Sequence, residues 1–140
     1  MTITIQNQQA QIYVPKTKVK RIIQKILKHE ARYLSSAEIS ITFVNDRHIR
    51  KLNHHFHNRD EATDVLAFDL SVQKDKLIAD IYISTQTALR QAKMWGNSPR
   101  KEILLYVIHA ILHLVGYDDN LPSLSAKMRR KEAYYLESLS

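Results

Sequence analysis

The clearest chemical signal in the chain is the stretch His109-Ala-Ile-Leu-His113-Leu-Val-Gly116-Tyr-Asp118-Asp119. On an α-helix, residues four apart are separated by about 6 Å of rise and roughly 40° of rotation. His109 and His113 would therefore present two imidazoles on one face, close enough to share an ion. Gly116 is the residue type that takes a left-handed conformation and ends a helix. Past that stop, Asp118 or Asp119 can swing back toward the imidazoles and supply the third ligand of a metal site.

The segment carrying these groups is apolar nearly all round, with Ile103, Leu104, Val107, Ile108, Ile111, Leu112, Leu114 and Val115. A single histidine there would read as a buried, hydrogen-bonded core residue. Two neutral imidazoles at ligand spacing are different, because burying both without a partner is costly. The offsets of Gly116 and Asp119 match the H-E-x-x-H-x-x-G-x-x-H pattern of metzincin peptidases, with Asp in the last slot. In those enzymes a Glu follows the first His and acts as general base. Ala110 stands in that position, so a peptidase would lack its base. Three ligands leave a fourth position on zinc open for water, as hydrolysis requires. A carboxylate ligand lowers the net charge at the ion, which makes bound water less acidic and admits metals other than zinc.

These residues resemble the signature of the YbeY endoribonucleases, also called rRNA maturation factors, which reads approximately H-G-x-L-H-L-x-G-Y-D-H. The match covers His109, Leu112, His113, Leu114, Gly116, Tyr117 and Asp118. It departs at Ala110, where the family has Gly, and at Asp119, where the third His ligand sits. Upstream, Leu52, Asn53, Thr63, Asp64, Val65, Leu66 and Phe68 resemble a second family motif. Asp80, Ile81 and Ser84 resemble its G-D-I-x-I-S strand, and Glu102, Met128 and Glu132 also fall where the family has them. The resemblance implies a YbeY-like metalloprotein fold with zinc on His109, His113 and Asp119. It also implies a single-strand-specific endoribonuclease that matures the 3′ end of small-subunit ribosomal RNA and serves ribosome quality control. Its partners would be ribosomal RNA and small-subunit components. The family has a basic residue, typically Arg, just after the aromatic at Phe56. His57 fills that slot here, with Arg59 two residues on, and either could hold the scissile phosphate and offset charge in the transition state.

Composition is compatible with this chemistry. The chain of 140 residues suits one domain, 1–140, with a sizeable core. Its 44% hydrophobic and 25% charged residues place it among ordinary globular proteins. The longest apolar run, Ile103 to Val115, contains both histidines and falls short of the roughly 20 residues of a membrane span. The start, MTITIQNQQA, lacks the basic region and apolar core of a signal peptide. There is no cysteine, which excludes a thiolate zinc site and a disulfide framework and suits the cytoplasm. Lys and Arg number 21 against 14 Asp and Glu, for a net charge of +7 that favours a polyanionic partner such as RNA.

The elements that must position the site can be read from periodicity. Ile3 and Ile5 alternate with threonines as a short strand. From about Pro15 to Leu34 the period is helical, with Arg21, Lys25, Lys28 and Arg32 opposite the apolar side, as a solvated face or an RNA-backbone contact. Ala37 to Val44 alternates as a second strand. Asn45 or Asp46 then caps a helix with Ile49, Leu52 and Phe56 inward, which runs into His54, His55, His57 and Arg59. Val65 to Leu70 and Leu77 to Ser84 read as strands around a polar turn. Thr63 and Asp64, just before the first of these strands, serve either catalysis or loop closure. Thr85 to Trp95 is helical and Gly96 stops it, and Ser98 with Pro99 opens the histidine-bearing helix. Pro122 to Leu139 forms a last helix with Leu124, Met128, Tyr135 and Leu139 inward and Lys127, Arg129, Arg130 and Lys131 as a second basic patch. The expected architecture is α+β, with about four strands in one sheet against about five helices and the metal-binding helix central. Two rivals use the same residues: a non-catalytic ribosome-assembly factor with a structural metal, and an iron oxygenase built on two His and one carboxylate.

Overall fold

Alternation of Ile and Ala with polar residues builds the sheet, and its register explains the core. The computed structural model describes residues 1–139. Strands β1 (Thr2–Asn7), β2 (Ser36–Val44), β3 (Val65–Asp69) and β4 (Lys76–Ser84) form one sheet in the order β1-β2-β4-β3. β1 and β4 run parallel to β2, and β3 runs antiparallel to β4 at the edge. Ala37, Ile39, Ile41 and Phe43 of β2 lie level with Leu77, Ala79, Ile81 and Ile83 of β4. Side chains alternate faces along a strand, so this register puts all eight on one side. That face is buried in the main core.

Five helices complete the chain: α1 (Lys16–Glu30), α2 (Asp46–His57), α3 (Thr85–Trp95), α4 (Pro99–Leu114) and α5 (Pro122–Glu137). α1 contributes Val19, Ile22, Ile23, Ile26 and Leu27 to the main core, and α5 contributes Met128 and Tyr135. α4 is central, touching α1, α3, α5, β3 and β4. α2 lies apart from this core: its Ile49 joins Val44 and Leu66 in a smaller cluster with Leu52, Phe68 and Tyr82 packed against it. Among the described residues no helix is long and apolar enough to cross a membrane.

Local signals set the boundaries. The Asn45 side chain accepts from the His48 N–H at 2.9 Å and the Ser98 hydroxyl from the Lys101 N–H at 3.1 Å, satisfying orphan donors at two helix starts. Gly96 ends α3 at φ +72°, in the left-handed region. α1 is shorter than its periodicity implies. It stops at Glu30, so Arg32 and Leu34 lie beyond it and Arg32 leaves the helical basic stripe. Two side chains expected inward are exposed, Phe56 at the end of α2 and Leu124 in the first turn of α5. Both sit where a helix ends and the partner surface has run out.

Lys131 also departs from expectation, since it is not part of a free basic patch. Its ammonium lies 3.2 Å from Glu30, whose carboxylate also accepts from the Tyr135 hydroxyl at 2.6 Å and from the Tyr117 hydroxyl. One carboxylate at the end of α1 thus holds α5 and the segment following α4. Burial alone would raise its pKa, but the hydrogen bonds from Tyr117, Tyr135 and Lys131 outweigh burial and hold it below the ordinary 4.5. A depressed carboxylate pKa contributes stability that is present above the unfolded value and lost as pH falls through the folded one. With its side chain only 10% exposed, Glu30→Ala should cost roughly 2–4 kcal/mol by leaving three donors without their acceptor. In urea denaturation, the gap between wild type and Glu30→Gln should narrow as pH falls below about 4.5. A gap that stays constant across that range would remove the carboxylate from this account.

Candidate metal centre

α4 brings its histidines to the surface along one row. The one-turn spacing puts His109 and His113 on the side facing edge strand β3, where they line a cleft of about 280 Å³ with His57, Asp64, Val65, Leu66, Ala67, Ala110 and Asp119. The helix ends as the sequence implies. The Tyr117 N–H returns to the Leu112 carbonyl at 3.0 Å and the Gly116 N–H to the His113 carbonyl at 3.1 Å, with Gly116 at φ +111°. These are the paired hydrogen bonds of a Schellman stop, and they reverse the chain so that the aspartates follow the histidines closely.

The two aspartates have different surroundings. Asp118 is occupied with its own turn: Oδ1 accepts from the N–H groups of Asp119 at 2.7 Å and Asn120 at 3.3 Å. Its Oδ2 accepts from the Asn120 side-chain amide at 2.8 Å. Asp119 faces the cleft instead, with Oδ2 4.0 Å from His109 Nε2. That distance is beyond a direct hydrogen bond. It is also longer than the roughly 3.4 Å between two donors with bonds of about 2.1 Å to a tetrahedral ion, so Asp119 would have to draw in to share one with His109.

Sequence reasoning located Glu132 but gave it no role. Its Oε2 lies 2.8 Å from His109 Nδ1, reaching across from α5. In the neutral imidazole this places the proton on Nδ1 and leaves the Nε2 lone pair directed away, toward Asp119. The hydrogen bond to Glu132, opposed by burial and aided by the charges of Glu132, Asp119 and Asp64, raises the His109 pKa above the ordinary 6.5. A carboxylate behind a histidine, fixing its tautomer, is the usual support for a ligating imidazole. The signal available in sequence was Glu132 four residues after Met128, on the face of α5 that meets α4.

The donor chemistry therefore fits a divalent ion: an oriented imidazole, a second imidazole one turn on, and a carboxylate across the glycine stop. Among the described residues no three His, Cys, Asp or Glu groups are drawn together tightly enough to close around an ion as they stand. His113 and Asp119 are exposed side chains, so rotamer changes alone are available to them. Of the two basic candidates, His57 lines the cleft itself. Arg59 lies in the adjoining cavity, which His57 also lines together with Asn53, Glu61, Ala62, Thr63 and Leu66. Asp64 also lines the cleft, while its Oδ1 accepts from the Val65 N–H at 2.8 Å and from the Thr63 hydroxyl at 3.3 Å. Loop closure thus occupies one of its oxygens.

An apolar helix and an antiparallel edge strand, enclosing a cleft of imidazoles and carboxylates, define an α+β domain of hydrolase type. Comparison with known proteins makes this specific. The chain belongs to the endoribonuclease YbeY family, whose model matches residues 4–140. It is similar to the endoribonuclease YbeY of Desulforamulus reducens, at 35% identity over 99% of this chain and 97% of that one. The corresponding protein of Pelotomaculum thermopropionicum is 33% identical, covering 100% of this chain and 98% of its own. Among solved structures, the solution structure of TM1509 from Thermotoga maritima matches with a TM-score of 0.66 and 26% identity, over 99% of this chain and 89% of that one.

Removing the support behind His109 should loosen the site without unfolding the chain. Glu132→Ala is expected to lower zinc affinity 10–100-fold. Competition against a chromophoric chelator measures this, with circular dichroism confirming the helices. Unchanged zinc affinity in a folded Glu132→Ala protein would mean that the hydrogen bond is purely structural.

Proposed function

We propose that this chain is a metal-dependent endoribonuclease that cuts single-stranded ribosomal RNA, at the 3′ end of the small-subunit RNA, during ribosome maturation and quality control. The observation that carries the reading is His109, oriented by Glu132, sharing one cleft with His113, Asp119 and His57. His109, His113 and Asp119 would hold the ion, zinc in the first instance. When bound, such an ion supplies Lewis-acid polarisation of a phosphodiester oxygen and lowers the pKa of water. Glu132 keeps the His109 proton on Nδ1, so the Nε2 lone pair is left available to a metal ion. Arg59 in the adjoining cavity would supply positive charge, and His57 at the cleft wall an N–H donor, to the phosphate oxygens, where negative charge builds in the transition state. The excess of basic residues draws the polyanion to the surface. A cysteine-free chain suits the reducing cytoplasm, where we place the activity.

Purified protein acting on a labelled single-stranded RNA tests this reading. His109→Ala and His113→Ala should each reduce cleavage by about 100-fold or more, and Arg59→Ala or His57→Ala by about tenfold or more. RNA affinity should fall steeply with salt, by about 0.7 log units per log unit of salt for each phosphate contacted. Cleavage that persists unchanged in both histidine variants would trace to a contaminating nuclease and favour the non-catalytic assembly role. Salt-indifferent binding would remove the electrostatic part of the argument.

A further inference from the structure

Among the exposed apolar side chains, Phe56 is the one next to His57 of the cleft. It is 57% exposed, although it follows Ile49 by seven residues on a helix whose earlier apolar positions are inward. Burying a phenylalanine is worth about 1.5–3 kcal/mol, so leaving one in water at a functional edge calls for a reason. Its ring is not isolated. Phe56 lies 5.1 Å from Phe68, which lies 6.2 Å from Tyr82. The His57 imidazole stacks on Phe68 at 5.6 Å with only 6° between the ring planes. His57 is thus exposed, with one ring face on Phe68, and it lines the cleft that holds His109 and His113. The aromatic strip and the candidate centre are continuous through this one ring.

We propose that the exposed faces of Phe56 and His57 form a stacking platform for unpaired nucleobases of the RNA strand whose phosphate enters the cleft. This rests on the single-stranded RNA reading above and adds the recognition element to it. Nucleobases are the occupant that the surroundings favour. A flat ring face accepts any base with little regard to sequence, and single-strand-binding proteins combine such faces with cationic groups that follow the backbone. Arg59 supplies the cation, in the cavity bordered by His57. The net charge of +7 matches a polyanion. A base in a duplex is stacked on its neighbours and cannot reach the platform, which gives the site a physical basis for preferring single strands.

The test compares two strands of equal length and charge, one a 2′-O-methyl oligoadenylate and the other the same backbone without bases. Fluorescence anisotropy reads their affinities for wild type, Phe56→Ala, Phe56→Leu and Phe56→Tyr. Because Phe56 is largely exposed, the variants should melt as wild type does. Phe56→Ala and Phe56→Leu are expected to bind the base-bearing strand about tenfold more weakly and the abasic strand as before, while Phe56→Tyr keeps wild-type affinity for both. Equal binding of the base-bearing strand by wild type, Phe56→Ala and Phe56→Leu would overturn the platform, and so would an equal loss on both strands. Wild-type protein that binds neither strand would instead sink the nuclease reading on which the platform rests.

Discussion

Nearly complete burial of α4 is the constraint from which the rest of the structure follows. Between Lys101 and His113, only Lys101, Leu105, His109 and His113 escape burial, and every other residue of that stretch is enclosed. These four are spaced at i, i+4, i+8 and i+12, one continuous row along a helix. Each buried Ile, Leu or Val on the other sides contributes about 1.5–3 kcal/mol, so the helix has no freedom to rotate and present a different row. Packing therefore decides which face of the helix carries the imidazoles. The same apolar composition that suggests a mere core helix is what makes the histidine row rigid enough for chemistry.

Carboxylates from elsewhere in the chain refine what packing fixes coarsely. Glu132 sets the ring of His109 from α5, and α5 is itself held at Lys131 and Tyr135 by Glu30 of α1. Tyr117, two residues before Asp119, donates to the same Glu30. One acidic side chain at the end of the first helix thus anchors both the helix behind His109 and the turn that carries the aspartates. Charged hydrogen bonds of this kind are stronger than neutral ones and tolerate little displacement.

Much of this was legible in sequence because it is local. The strand alternation, the Asn45 and Ser98 caps, the Gly96 and Gly116 stops and the i, i+4 histidines all act within a few residues. What escaped depends on partners far along the chain. Lys131 reads as one more surface cation until Glu30, a hundred residues away, is brought beside it. Glu132 has no role until α5 is laid against α4. Phe56 continues an inward-facing period that holds for Ile49 and Leu52, yet the surface it would pack on ends before the helix does. Sheet order was equally hidden, since β3 is inserted at the edge beyond β4 by pairing alone.

The cleft collects carboxylates in a chain that is basic overall. Asp64 and Asp119 line it, and Glu132 stands directly behind His109, while the imidazoles carry no charge in their ligating form. These carboxylates oppose the approach of a phosphodiester even though the chain as a whole attracts RNA. On the proposed reading, His109, His113 and Asp119 would hold a divalent cation there, and its charge would reverse the local sign. His57 lines the same cleft and Arg59 the adjoining cavity, so a guanidinium stands within reach of a phosphate bound there. On that reading the carboxylates are there for the ion, since a site that only held RNA would gain nothing by collecting them where the phosphate must sit.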